Sequence, residues 1–180
     1  MIEKNGKGTK SANAFWGNIF SRYRSRESID NLEALRLCPL FRRLNVRELK
    51  KVAGIVYERS YQAGEYLFEK DQPGAAMFIV KSGKVAIIVP GADGSEAVLA
   101  EIAPEEFMGE LALLDDTPRS ASARAIEKTD AIAFFREDLN EMLDTYPAIA
   151  SKILKELSII IGQRLKASNE QLYSRGKLNE

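Results

Sequence analysis

Hydrophobic and polar positions change period twice along this chain. Phe15, Trp16, Ile19, Phe20 and Tyr23 fall at i, i+1, i+4, i+5 and i+8, one stripe of a helix. Helical spacing continues from Ser28 to Val56. Ser28 or Asp30 can cap a first segment carrying Leu32, Leu35 and Leu37; Pro39 breaks it, and Asn45 caps a second one with Val46, Leu49, Val52 and Ala53 on one face. Between 57 and 136 the pattern shortens to β-branched and aromatic runs, at 57–61, 66–69, 76–81, 84–89, 96–102, 122–127 and 130–136. Turn pairs separate them: Ala63-Gly64, Pro73-Gly74, Ser82-Gly83, Pro90-Gly91 and Asp93-Gly94. Many short strands with regular turn signals predict a sandwich or roll rather than a parallel α/β sheet. The helical period then returns. Glu137 to Tyr146 is short, and Pro147 suits the first turn of a long helix. Leu154, Leu157, Ile161, Leu165, Ser168 and Leu172 follow at near-heptad spacing, which suits a seam against a second helix. Ile153, Ile159 and Ile160 broaden that surface enough for core packing as well.

Composition removes several chemistries. The 180 residues suffice for one domain with its own core. Formal net charge is zero, so no global field draws the chain to nucleic acid. It has no histidine, which excludes histidine acid–base catalysis and histidine metal ligands. The one cysteine, Cys38, has apolar neighbours and reads as a buried structural thiol. No run is long enough for a membrane-spanning helix and no apolar leader is present, so a cytoplasmic protein is expected. Residues 1–27 hold six basic and two acidic residues. Their aromatic stripe packs onto its own domain or, as the less favoured reading, docks on a membrane surface or partner.

The chemistry concentrates between Phe107 and Ala125. Gly109 permits a tight turn and close approach of a ligand. Glu110 to Leu114 is helix-prone, with Leu111 and Ala112 in its first turn, and presents free N–H groups and a positive dipole end. Pro118 stops the helix. Arg119 offers a planar fork suited to phosphate, Ser120 adds a hydroxyl, and Ala121 leaves room beside it. A carboxylate repels phosphate, so Glu110 makes sense if it accepts from a sugar hydroxyl while Arg119 takes the anion. Asp115 and Asp116 read as a solvated turn.

Gly-Glu-Leu-Ala-Leu followed at fixed spacing by Pro-Arg-Ser-Ala resembles the phosphate-binding cassette of cyclic nucleotide-binding domains. The resemblance extends over about residues 35–172 and implies a mainly β fold with flanking helices (α+β): an antiparallel β-roll or jelly-roll with N-terminal helices and a long C-terminal helix. It implies that Glu110 holds the ribose 2′-hydroxyl, that Arg119 holds the cyclic phosphate, and that the C-terminal helix caps the purine through Ser168 and Asn169. Two departures stand out: Lys70 and Glu105 lie near positions where the family usually has glycine, and Glu105 and Glu106 bring two carboxylates close to the cassette. They are expected to face solvent.

The expected organisation is a tail with an amphipathic helix over 1–27, the lead-in and β-roll over 28–146, and a capping or dimerisation helix over 147–175. The expected function is that of a non-enzymatic sensor of cyclic AMP, with cyclic GMP as the alternative ligand. Its partners would be a second copy through the C-terminal helix and an effector protein that the sequence does not identify. The chain has no cofactor and no metal in this reading. A truncated transcription regulator of this type is one alternative: a whole one is expected to carry a helix-turn-helix after the long helix, for which the sequence as given leaves no room. An interaction module of the same fold that no longer binds nucleotide is the remaining alternative.

Overall fold

Two strands, β3 (Ala76–Ser82) and β8 (Thr129–Phe135), are apolar at most positions and buried along most of their length. That is the pattern of strands covered on both faces. The computed structural model, which describes residues 28–91 and 94–176, pairs them antiparallel through Phe78↔Ala133 and Ile79↔Ile132. Met77, Ile79, Ile132 and Phe134 pack into a helical layer. Ala76, Phe78, Val80, Ala131 and Ala133 fill the interior of the roll.

Two four-stranded antiparallel sheets build the roll. In the first, β1 (Tyr57–Tyr61) pairs with β8, and β6 (Phe107–Met108) with β3, in the order β1-β8-β3-β6. The second contains β2 (Tyr66–Phe68), β4 (Val85–Pro90), β5 (Glu96–Ile102) and β7 (Ser122–Ala125), in the order β2-β7-β4-β5. All seven predicted runs are strands to within a few residues. The additional strand, β6, has only two residues, too few to show an alternating pattern. Arg136 is a correction: it opens a helix instead of closing a strand.

The helical layer consists of α1 (Ser28–Leu37), a 3₁₀ turn at Pro39–Phe41, α2 (Val46–Ala53), α3 (Arg136–Thr145) and α4 (Pro147–Gly176). Asn45 caps α2 as predicted, and Glu48 completes a capping box by accepting from the Asn45 N–H at 2.9 Å. Cys38 is fully buried among Leu35, Phe41 and Val52, and burial pushes its thiol up to about 12. The aromatic stripe expected at 13–27 lies outside the described residues.

The near-heptad row on α4 divides in two. Leu157 is buried, and Leu154 and Ile161 pack on the core. Leu165, Ser168 and Leu172 are exposed. Ionic contacts fix the first half to the lead-in. Lys152 Nζ lies 2.6 Å from Glu48 Oε1. Glu156 is fully buried between Arg42 and Arg43, with Arg43 Nε at 2.5 Å. Burial alone would raise the Glu156 pKa, but the two guanidiniums prevail and hold it below the usual carboxylate range. Among the described residues, no helix is long and apolar enough to cross a membrane.

Candidate functional site

The site begins where β6 ends. Gly109 adopts φ 71°, the left-handed region, and a Cβ there would lie 2.5 Å from Arg119 Nη1. Both the turn and the seat of Arg119 therefore need glycine. Glu110–Leu113 then form one 3₁₀ turn whose first bond runs from Ala112 N to Gly109 O at 3.2 Å. The expected helix with a dipole end is shorter than foreseen, since a single 3₁₀ turn sums few peptide dipoles. The N–H groups of Glu110 and Leu111 still precede its first bond.

Arg119 is fixed from both directions. Its backbone N–H donates to Gln72 O at 2.9 Å, and its carbonyl accepts from Asp71 N at 2.9 Å. Its side chain runs inward and is only 8% exposed. Nη1 donates to Gly109 O at 3.1 Å and Nη2 to Ala76 O at 2.6 Å. The guanidinium carbon lies 4.1 Å from the centre of the Phe68 ring. These contacts orient the fork without exhausting it: buried Nε has no partner among the described residues. Burial, and next the charge of Arg136, lower the Arg119 pKa to about 10, while Glu110 acts in the opposite direction. The group remains a cation at neutral pH.

Glu110 is also 8% exposed. Its Oε1 accepts from Arg164 Nη1 at 2.6 Å, and Arg164 Nη2 donates to Phe107 O at 3.2 Å. The Arg164 guanidinium carbon lies 4.8 Å from the centre of the Phe107 ring. Sequence reasoning missed Arg164. It nominated Ser168 and Asn169, which are exposed on α4 and do not line the cleft. Arg164 and Ser168 share one helix face at i and i+4, so the face was legible, and Arg164 is its member that lines the cleft. The signal for Arg164 was Glu110 itself, because a buried carboxylate calls for a cationic partner.

Gly109, Glu110, Leu111, Ala112, Arg119, Ser120 and Ala121 all line one cleft of about 460 Å³, together with Arg164. That volume is in the range of small-molecule sites. Phe68, Ile87, Ala100 and Ile102 give it an apolar wall. The arrangement suits a ligand with an anionic group, a hydroxyl-bearing linker and a flat apolar part. Glu105 and Glu106 are exposed and do not line the cleft. Glu105 holds a left-handed backbone, φ 73°, the region that favours glycine. At the other departure the left-handed residue is Asp71, φ 66°, one place beyond Lys70. Asp115 accepts from Thr117 N and Thr117 Oγ1 in the exposed turn before Pro118. Among the described residues, no group of three or more aspartate, glutamate or cysteine side chains is placed to hold a metal ion.

Comparison with known proteins agrees with this geometry. Residues 58–146 match the family model described as the cyclic nucleotide-binding domain. The chain is 34% identical over 134 residues to the cyclic AMP receptor protein of Thermus thermophilus, covering 74% of this chain and 60% of that protein. The crystal structure of the Thermus thermophilus catabolite activator protein superposes with a TM-score of 0.69 at 33% identity, over 77% of this chain and 63% of that one. The N-terminal domain of a transcriptional regulator from Streptomyces coelicolor gives 0.67 at 30% identity, over 77% of this chain and 94% of that one. Against curated relatives the chain is short: it spans 60% of the Thermus receptor and 48% of a regulator from Mycobacterium tuberculosis.

Proposed function

This chain belongs to the cyclic nucleotide-binding domain family, and from that membership we propose that it is a cyclic nucleotide sensor whose ligand is cyclic AMP, with cyclic GMP as the competing candidate. The observation that carries the reading is the convergence of Arg119 and Glu110, both buried, on one cleft. In this reading the cyclic phosphate meets the remaining N–H groups of Arg119 and the N–H groups of Glu110 and Leu111. The ribose 2′-hydroxyl donates to Glu110, whose Oε1 is already held by Arg164. The base lies against Ile87, Ala100 and Ile102. Binding then signals through its different contacts with two positions of α4, since only differential contacts shift an equilibrium. Cyclic AMP comes first because Ser-Ala after Arg119 resembles the bacterial activators, and a relative at 34% identity is named as a cyclic AMP receptor. The role is regulatory rather than catalytic.

A second copy of the chain is the partner proposed for the outer half of α4. Leu165, Leu172 and Tyr173 are 61%, 65% and 77% exposed there. An exposed apolar row that continues the near-heptad spacing of a packed helix is best satisfied by pairing with a second helix. Isothermal titration of the ligand-stripped protein with cyclic AMP, then cyclic GMP, tests the sensor reading. Saturable binding that Arg119→Ala weakens by about a decade or more supports it and ranks the two nucleotides. No heat and no competition from either nucleotide would overturn it and favour the interaction-module alternative.

A further inference from the structure

Arg136 is the first residue of α3, and its backbone N–H donates to Ala75 O at 2.9 Å. Its side chain turns back toward the cassette without lining the cleft. Nη1 donates to Gly74 O at 3.2 Å, to Ala112 O at 3.0 Å and to Asp115 O, and Nη2 meets the Asp116 carboxylate. One guanidinium thus gathers carbonyls from the β2–β3 turn and from the far end of the 3₁₀ turn. The two loops touch at that point: a Cβ on Gly74 would lie 2.9 Å from the Ala112 Cβ. The side chain is 19% exposed.

We propose that Arg136 is the positioning residue of the anion loop. It ties down the carbonyls at one end of the 3₁₀ turn, so that the N–H groups at the other end stay turned to the cleft. It also joins the loop to the base of α3, so the two move together. Charge alone does not explain its place. Arg136 lowers the pKa of Arg119 by repulsion, an electrostatic cost that the carbonyls and Asp116 offset. The planar fork is what serves several carbonyls at once, and an ammonium does not reproduce that geometry. The ligand-binding arm of this inference rests on the proposed sensor function. The loop-ordering arm does not.

The test compares Arg136→Met and Arg136→Lys in the full chain, with Asp116→Asn as a control for the exposed ion pair. Amide hydrogen exchange is followed without nucleotide. The expected result for Arg136→Met is exchange at least about tenfold faster in 109–119, with β1 and β8 unchanged. Arg136→Lys restores the charge but not the protection, and Asp116→Asn stays near the parent. Unchanged exchange in 109–119 overturns the proposal. A uniform rise across the domain also overturns it, because that marks a general loss of stability. Full protection in Arg136→Lys refutes the fork in favour of charge. Cyclic AMP titration adds the functional arm, with about tenfold weaker binding expected for Arg136→Met. If the parent protein binds no nucleotide, the sensor reading fails while the exchange result still decides the role of Arg136.

Discussion

Arg119 and Glu110 face the same cleft and are equally buried, yet different parts of the molecule hold them. Arg119 is held by the roll alone: its backbone by Gln72 and Asp71, its fork by the carbonyls of Gly109 and Ala76, its face by Phe68. Glu110 is held by α4, through Arg164. The first half of α4 is itself clamped by Glu156 and Lys152, and the outer half is exposed. One end of the site is therefore set before any ligand arrives, and the other depends on where a helix sits. Affinity should draw mostly on the first and signalling on the second.

The sharpest way to break this comparison is Arg119→Ala. A hydrogen bond to a charged group contributes roughly 1.5–3 kcal/mol, so the substitution should weaken cyclic AMP by about one to two decades or more in titration calorimetry. Normal binding would detach the phosphate from the roll. The same residue predicts a pH dependence. An anion is gripped by protonated Arg119, whose pKa is lowered to about 10. Affinity should hold through neutral pH and fall as pH rises through about 10, with a limiting slope of about tenfold per unit. An unshifted arginine would keep its proton, and with it the affinity, to higher pH.

Glu110→Gln comes next. It keeps a hydrogen-bond acceptor but removes the charge, a difference of about 1.4 kcal/mol and so about tenfold in affinity. The loss should appear with cyclic AMP and vanish with its 2′-deoxy analogue. An equal loss with both ligands would mean that Glu110 acts on the loop rather than on the sugar.

How much of this was legible beforehand follows the range of each interaction. The strands of the roll, the Asn45 cap and the break at Pro39 are local, written in period and turn chemistry, and they appear where expected. The cassette residues, Gly109 to Ala121, are close in sequence, and their convergence was implied by the resemblance of that run to the family's cassette. Contacts across the fold were not. Arg164 meets Glu110 from 54 positions away, and Arg136 reaches Ala112 from 24. Arg164 lies in a helix whose period showed which residues share a face but not how far each side chain reaches, and Arg136 was read as the end of a strand rather than the start of a helix. The split of the row on α4 was hidden for the same reason. Near-heptad spacing looks alike whether a helix rests on its own sheet or stands clear of it. The ion pairs of Glu156 with Arg42 and Arg43, which fix where contact ends, join residues over a hundred positions apart.

Arg164→Ala is the smallest expected effect and the most informative for the comparison. The Arg164 side chain is 48% exposed, so its ion pair with Glu110 is screened and contributes about 1 kcal/mol at most. Cyclic AMP affinity should therefore fall less than about fivefold. Ser168→Ala and Asn169→Ala, outside the cleft, should change it less than about twofold in the monomer. The response of α4 is another matter. With Arg164 gone, the carboxylate that meets the sugar no longer touches the helix, so ligand has lost its route to α4 at that point. Spin labels on β4 and on the outer half of α4 would read this as a distance. Nucleotide should shift that distance in the parent protein and leave it nearly fixed in Arg164→Ala, despite similar occupancy. A variant that binds far more weakly would make Arg164 part of the grip. A variant that binds and still moves α4 would place the coupling elsewhere, in the packing of Phe107 and Leu113 in one cluster with Ile153 and Leu157 or in the Arg136 contacts between the loop and α3.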